Sequence, residues 1–338
     1  MRRVGRRLAV AIAAMAALFV LAPAEALATH VSCGETITAD TKLDTDLLDC
    51  PGNGIVIGAD NITLDLNGHT IDGTSTSEDG VANVAHVGAT IEGGTIQGFT
   101  VGVRLGTCSP PAGCPLGDIL PSADGNTVRK VTASENGAAI VLGKTAHNVI
   151  RSNDLIDNGS GIFVGGDRFV FTGDTLIEKN VISTTAGAAI TTDRSQDEAY
   201  VIRNRISIPA GAAGIEAGFG SMHIERNWIS GGDWGMHLGR GGGPVIENRV
   251  SDARIDGIYA DLWGGSAFVG NVATNNGDDG IEIDSGGAIP GSSVVLTRNT
   301  ANDNGDFGIE AAAGVTDGGG NKAADNGNPL QCINVSCK

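Results

Sequence analysis

Val201-Ile202-Arg203-Asn204-Arg205-Ile206-Ser207-Ile208 is followed by Gly214-Ile215, whose Ile lies eleven residues beyond Asn204. The same figure returns along the chain. Asn153, Asn180, Asn204, Asn227, Asn248, Asn271 and Asn299 stand 27, 24, 23, 21, 23 and 28 residues apart. Each follows a short apolar–polar run such as Val149-Ile150-Arg151 or Val245-Ile246-Glu247. Nine to eleven residues after each Asn comes an aliphatic behind a small residue: Ile162, Ile190, Ile215, Met236, Ile258, Ile281 and Ile309. Ala139-Ile140 extends the series upstream, and Gly54-Ile55-Val56-Ile57 and Ala89-Thr90-Ile91 are earlier, less regular rungs.

A repeat of about 24 residues with several β-type segments is one coil of a solenoid. Leucine-rich repeats need several leucines per unit, and residues 126–320 hold six in all. Helical repeats need long runs at 3.6-residue periodicity, which glycine every few residues forbids. A parallel β-helix remains, with two or three short strands per coil and coils ~4.8 Å apart. The repeat predicts stacked Asn amides bonding coil to coil, with Asn in left-handed backbone at a turn. It also predicts that the glycine before each aliphatic turns a corner with positive φ.

The composition agrees. The 338 residues include 52 glycines and are 41 % hydrophobic but only 4 % aromatic, as a thin core of stacked small aliphatics requires. Collagen is excluded because the glycines have no three-residue period. The net charge of −17 excludes a nucleic-acid binder that works through a broad basic surface.

Asn61-Ile62-Thr63-Leu64-Asp65-Leu66-Asn67-Gly68-His69-Thr70-Ile71-Asp72-Gly73 resembles the opening rung of secreted bacterial right-handed parallel β-helix proteins. The Asn-x-aliphatic and Gly-Ile-x-aliphatic repeats resemble those of the pectin-lyase-like superfamily and its carbohydrate-binding and sugar-hydrolase (CASH) repeats, over roughly residues 50–325. The landmarks count out about ten or eleven coils of an all-β parallel β-helix, and the resemblance implies that it is right-handed, in agreement with the crossover rule. It implies no single function, because that superfamily holds lyases, hydrolases, epimerases, adhesins and non-catalytic proteins.

Arg2, Arg3, Arg6 and Arg7 precede a 14-residue apolar run, Leu8 to Leu21, and then Ala26-Leu27-Ala28. This is the pattern of a signal peptide, residues 1–28, leaving 29–338 as a single β-helix domain. No later segment approaches the apolar length of a membrane span. The expected location is secreted, cell-surface or periplasmic. Six cysteines in an exported chain suggest disulfides, and proximity pairs Cys33 with Cys50, Cys108 with Cys114 and Cys332 with Cys337. The middle pair would close a proline-rich loop insertion, residues 106–124.

If the landmark aliphatics point inward, the next residue in each coil points out. That outward column reads Val141, Phe163, Thr191, Glu216, His237, Tyr259, Glu282, Glu310. Trp234, His237, Tyr259 and Trp263 fall in the same coils as Asp256, Asp261, Asp279, Glu282 and Asp284. Aromatic rings stack on sugar faces, and carboxylates bind hydroxyls or act as acid and base. The four aromatic positions are therefore candidate saccharide-binding residues, and Asp279, Glu282 and Asp256 candidate catalytic ones. Asp261 and Asp284 are candidate ligands for Ca²⁺, which takes oxygen donors. A solvated acidic strand face, kept for solubility, is the plain rival reading.

Gly277-Asp278-Asp279-Gly280 resembles the Gly-Asp-Asp element of polygalacturonase-type glycosidases. Gly305-Asp306-Phe307-Gly308 departs from their Gly-His-Gly, and no Arg-x-Lys follows. A lyase or epimerase would need a base such as Arg194, Arg240 or Arg254. His69 and His147 read as turn and loop residues. No serine elbow, phosphate loop or HExxH helix is present. Three readings follow: a protein that binds an extracellular polysaccharide, with or without cleaving it; a structural or adhesive surface protein; and a periplasmic maturation factor of the NosD type, which would require metal-linked partners.

Overall fold

The carboxamides of the Asn column form a continuous ladder inside the solenoid. Asn248 shows the pattern. Its Oδ1 accepts the backbone N–H and the side-chain N–H of Asn227, at 2.9 and 3.0 Å. Its Nδ2 donates to the Ile224 carbonyl and to Oδ1 of Asn271, both at 3.0 Å. The same bonds run through Asn153, Asn180, Asn204, Asn271 and Asn299 to Asn321. All are buried.

The computed structural model describes residues 28–74, 78–107, 123–166, 173–193, 199–218, 221–239, 241–262, 265–286 and 293–338. The strands among them pair in parallel. One face is a 13-stranded sheet, and the other strands form a 23-stranded sheet that turns a corner. Thr90–Gln97 and Thr127–Ser134 run through that corner. Thr127–Ser134 then pairs with two shorter strands of the next coil, Val149–Arg151 and Asp154–Asn158. In the 13-stranded sheet Ile162, Ile190, Ile215, Met236, Ile258, Ile281 and Ile309 stand in one register column, as predicted. They belong to one core cluster that extends from Val31 to Ala311 and is built almost wholly of Ile, Val, Leu and Ala; Phe268 is its largest fully buried side chain.

Two expectations are corrected. The left-handed residue at the corner is the one before the ladder Asn: Lys179, Arg203, Arg226, Glu247 and Arg298 have φ between 52° and 57°. The corner residue exposes its side chain and bears the turn, while the Asn turns its amide inward. The landmark glycines are not in positive φ either. They are there because the next coil lies too close: a Cβ on Gly257 would sit 2.6 Å from the Gly280 carbonyl oxygen, and one on Gly280 2.6 Å from that of Gly308.

The sequence reading also missed a second ladder at the other end of the strands. Asn276 bonds Asn304, and Asn304 bonds Asn326, through both backbone and side-chain N–H groups. Asn326 finds its acceptor in Gln331 Oε1, at 3.1 Å from the backbone N and 2.8 Å from Nδ2. Disulfides join Cys33 to Cys50 and Cys332 to Cys337, as expected. Cys108 and Cys114, most of the 106–124 insertion and residues 1–27 of the expected signal peptide lie outside the described residues.

Asn248→Ala leaves buried backbone groups without partners and should cost about 3 kcal/mol of unfolding free energy. Gly257→Ala should cost about 2 kcal/mol by overpacking against the next coil. Chemical denaturation of both variants measures these losses; Ser207→Ala, on an outward position, should change nothing.

Candidate functional site

The outward column of the 13-stranded sheet is the one the sequence predicts. Glu216, His237, Tyr259, Glu282 and Glu310 occupy one register position on adjacent strands: Ala213–Ala217, Trp234–Leu238, Ile258–Leu262, Ile281–Gly286 and Ile309–Ala311. Parallel in-register pairing makes neighbours of residues more than twenty positions apart in sequence, so the His237 and Tyr259 rings meet, and Trp234 joins them from the strand that carries His237. Trp234 stacks on His237 with centroids 5.0 Å apart and planes at 26°, and His237 lies 5.3 Å from Tyr259, tilted at 50°. The Tyr259 hydroxyl donates to Asp284 Oδ2 at 2.6 Å. That bond, with burial and the surrounding carboxylates, holds the phenol protonated well above its ordinary range.

Beside the column stands a second one, two residues before each landmark aliphatic: Trp234, Asp256, Asp279 and Phe307. Here Asp256, Asp279 and Phe307 are buried at the corner and not displayed on the face, while Trp234 is half-buried. Asp256 and Asp279 are 2 % and 3 % exposed. Each accepts a backbone N–H from the following coil, Asp279 N to Asp256 Oδ1 at 3.1 Å and Phe307 N to Asp279 Oδ1 at 2.7 Å. The arrangement copies the Asn ladder with an acid in place of the amide. Glu282 reaches over from the outward column. Asp256, Asp279 and Glu282 each place a carboxylate oxygen within 4.8 Å of the others.

Three carboxylates this close and this dry cannot all ionise. Burial, reinforced by the charges of Asp278, Asp256 and Glu310, pushes Asp279 up to about 8. Burial and the charges of Asp256 and Asp284 push Glu282 up to about 7. Asp256 is raised as well, chiefly by burial, although the Asp279 backbone N–H and the Glu282 and Trp234 side chains hydrogen-bond to it. The Glu282 carboxyl thus donates to Asp256, and the cluster carries shared protons at neutral pH.

The other predicted residues are placed as follows. Asp284 is exposed and engaged by Tyr259. A register irregularity after Ala260 sets Asp261 opposite Ser285, not Asp284. Among the described residues the groups with metal-ligand geometry are Asp256–Asp279–Glu282 and Asp278–Asp279–Asp306, so the structure brings Asp261 and Asp284 into neither. Trp263, Arg194 and Arg240 lie outside the described residues. Arg254 is committed to Asp233 through two bonds of 2.7 Å, which hold the Asp233 carboxyl down at about 2. His69 ties Asp46 of the preceding coil at 3.0 Å, a structural role. The sequence reading missed the Asp306 partnership and the indole bond from Trp234 to Asp256; the equivalent positions of Trp234, Asp256 and Asp279 before the landmark were its available signal.

Comparison with known proteins adds the lineage. Residues 33–231 match the family described as periplasmic copper-binding protein (NosD). The chain belongs to the NosD family. Residues 194–336 match the right handed beta helix region, and the solenoid is a right-handed parallel β-helix of about eleven turns. No curated protein matches this NosD-family chain in sequence. Among solved structures it is similar to PfbA, a surface adhesin of Streptococcus pneumoniae, at 11 % identity and TM-score 0.48, covering 90 % of this chain and 83 % of that one. It is similar to the Agl-KA catalytic domain at 10 % identity and TM-score 0.46, covering 90 % of this chain and 61 % of that one. The chain thus spans about three fifths of the length of that domain. A third is DFA-IIIase from Arthrobacter chlorophenolicus A6 in complex with GF2, at 13 % identity and TM-score 0.37, covering 87 % and 84 %.

Raised carboxyls make stability depend on pH. Asp279 stays protonated in the fold at pH values where the unfolded chain ionises it. Its contribution is therefore complete below about pH 4 and is lost as pH rises toward about 8. Asp279→Asn keeps the acceptor for Phe307 N–H but cannot ionise. Melting temperatures across pH 5 to 8.5 should show the variant gaining several degrees on the parent as pH rises; parallel curves would refute the shared-proton description.

Proposed function

We propose that this protein is an exported β-helix protein, functional as residues 29–338, that binds a saccharide along the Trp234–His237–Tyr259 ring ladder. One observation carries the reading. In a chain with 4 % aromatic residues, three rings from two adjacent coils form a continuous step beside a proton-holding carboxyl cluster. Sugar faces stack on such rings, and Glu282 and Asp284 offer hydrogen bonds to hydroxyls. If the bound chain is also cleaved, Glu282 is the acid. It is the only half-buried member of its trio and bears a proton near neutrality. Asp256 and Asp279 are too deeply buried to touch substrate and act by holding that proton on Glu282.

A second reading comes from the family match, whose description names a periplasmic location and copper. The two described disulfides suit the periplasm as well as the exterior. The donor set does not suit copper, which selects sulfur and imidazole ligands. His30, His69, His86, His147 and His223 each face a carboxylate, and His237 lies between two rings. The described cysteines are oxidised, and Met222 and Met236 are buried in the core. Both three-residue ligand groups are all-carboxylate, a donor set for a hard cation such as Ca²⁺. No step is assigned to copper.

The test is a panel of plant, algal and microbial polysaccharides, with and without Ca²⁺, read by affinity electrophoresis, reducing ends and unsaturated uronate absorbance. At least one polymer should retard the protein, and Trp234→Ala or Tyr259→Ala should weaken retardation by about tenfold. Where reducing ends or unsaturated products appear, Glu282→Gln should abolish them. A panel silent in every assay would reject the saccharide reading in favour of a structural or adhesive protein. Titration with Cu(I) and Cu(II) should give no stoichiometric complex; a tight one would restore the copper reading.

A further inference from the structure

The same coils present a second aromatic feature on another face. In the 23-stranded sheet Val181, Arg205, Trp228, Arg249 and Val272 share one outward register column. Trp228 is 56 % exposed, an unusual setting for the largest apolar side chain in a protein so poor in aromatics. The Arg205 guanidinium carbon lies 5.4 Å from its ring centroid. Arg249 flanks the ring from the next coil, about 4.8 Å away along the axis, and forms no ion pair with any described residue.

Next to this pair is a groove of about 360 Å³, lined by Arg226, Trp228, Glu247, Arg249, Gly270 and Val272. Its origin is a missing side chain. The corner column reads Lys179, Arg203, Arg226, Glu247, Gly270, Arg298, so Gly270 leaves a hollow one coil wide among long side chains. Glu247 is the one carboxylate in the lining, and Arg226 Nε holds it at 2.8 Å. The Trp228 plate and the Arg249 donors therefore face the groove with a local positive charge, in a chain whose net charge is −17.

The geometry points to a second ligand site here, for a sugar ring that carries a carboxylate. The indole takes the ring face and Arg249 takes the carboxylate as a charge-assisted pair, with Arg226 on the far wall of the groove. A neutral sugar leaves Arg249 unpaired. A long polyanion is opposed by the overall negative charge, whereas a short acidic oligosaccharide is not, because solution salt screens charges beyond ~8 Å. This site does not depend on the Trp234–Tyr259 ladder being occupied.

Trigalacturonic acid and its methyl ester are the probes, titrated calorimetrically into the full chain at two salt concentrations. The acid should bind with saturation and the ester at least about tenfold more weakly, with affinity for the acid falling as salt rises. Trp228→Ala and Arg249→Gln, both at exposed positions, should each weaken the acid by about tenfold or more, while circular dichroism stays unchanged. Arg249→Lys should recover part of the loss, since it keeps charge without the planar fork. Trp234→Ala should leave this binding intact, which separates failure here from failure of the ladder reading. Equal binding of acid and ester, no binding of the acid, or indifference to Arg249→Gln would overturn the site. Loss of duplex-DNA binding but not trisaccharide binding in Arg249→Gln would reassign the patch to nucleic acid.

Discussion

A carboxamide can accept two hydrogen bonds at its oxygen and donate two from its nitrogen, and the ladder from Asn153 to Asn321 uses that capacity in full at its inner rungs. It is the constraint on which the rest of the solenoid depends. The corner of each coil leaves backbone N–H and C=O groups turned toward a dry interior, where an unpaired group is costly. Asn is short enough to stay inside and bifunctional enough to satisfy both. Once its column is fixed, the aliphatic column of the opposite sheet follows nine to eleven residues along the coil, and the outward positions are counted from it.

The acidic site is a local change of that same rule. Asp256 and Asp279 answer the next coil's N–H as an Asn would, but they lack donors of their own. Neighbouring carboxyls stand beside them, and the crowding is relieved by holding protons that carboxyls in water would release. An acid at a buried backbone-capping position is thus coupled mechanically to the coil stack and chemically to Glu282. The ring ladder meets it at Trp234, whose side chain bonds Asp256, and at Tyr259, whose register partner is Glu282.

Stacking made much of this legible in the sequence. In a parallel in-register solenoid a column is read by counting from a landmark, and the order Glu216, His237, Tyr259, Glu282, Glu310 came directly from that count. What the count could not carry was orientation at corners. It showed Asp256 and Asp279 beside the outward column but not that their side chains turn inward, because alternation holds within strands and fails at bends. It assigned the left-handed backbone to Asn when Arg203 and Arg226 bear it. It set Asp261 beside Asp284, and one irregularity after Ala260 undid the pairing. The Asn276–Asn304–Asn326 ladder escaped notice because the coils between Asn158 and Asn276 place other residues there, such as Thr184 and Ala253.

Gln331 gives the Asn276–Asn304–Asn326 ladder a property of its own. A parallel solenoid grows by adding identical rungs, and an open final rung is a template on which another chain could continue the stack in a head-to-tail fibre. Gln331 folds back and supplies to Asn326 the amide oxygen that the next rung would have brought. The Cys332–Cys337 bridge ties the segment that follows. The ladder's demand for an acceptor at Asn326 is therefore met from five residues away along the chain, by a residue one methylene longer than the rungs it follows, and not by an Asn of another coil.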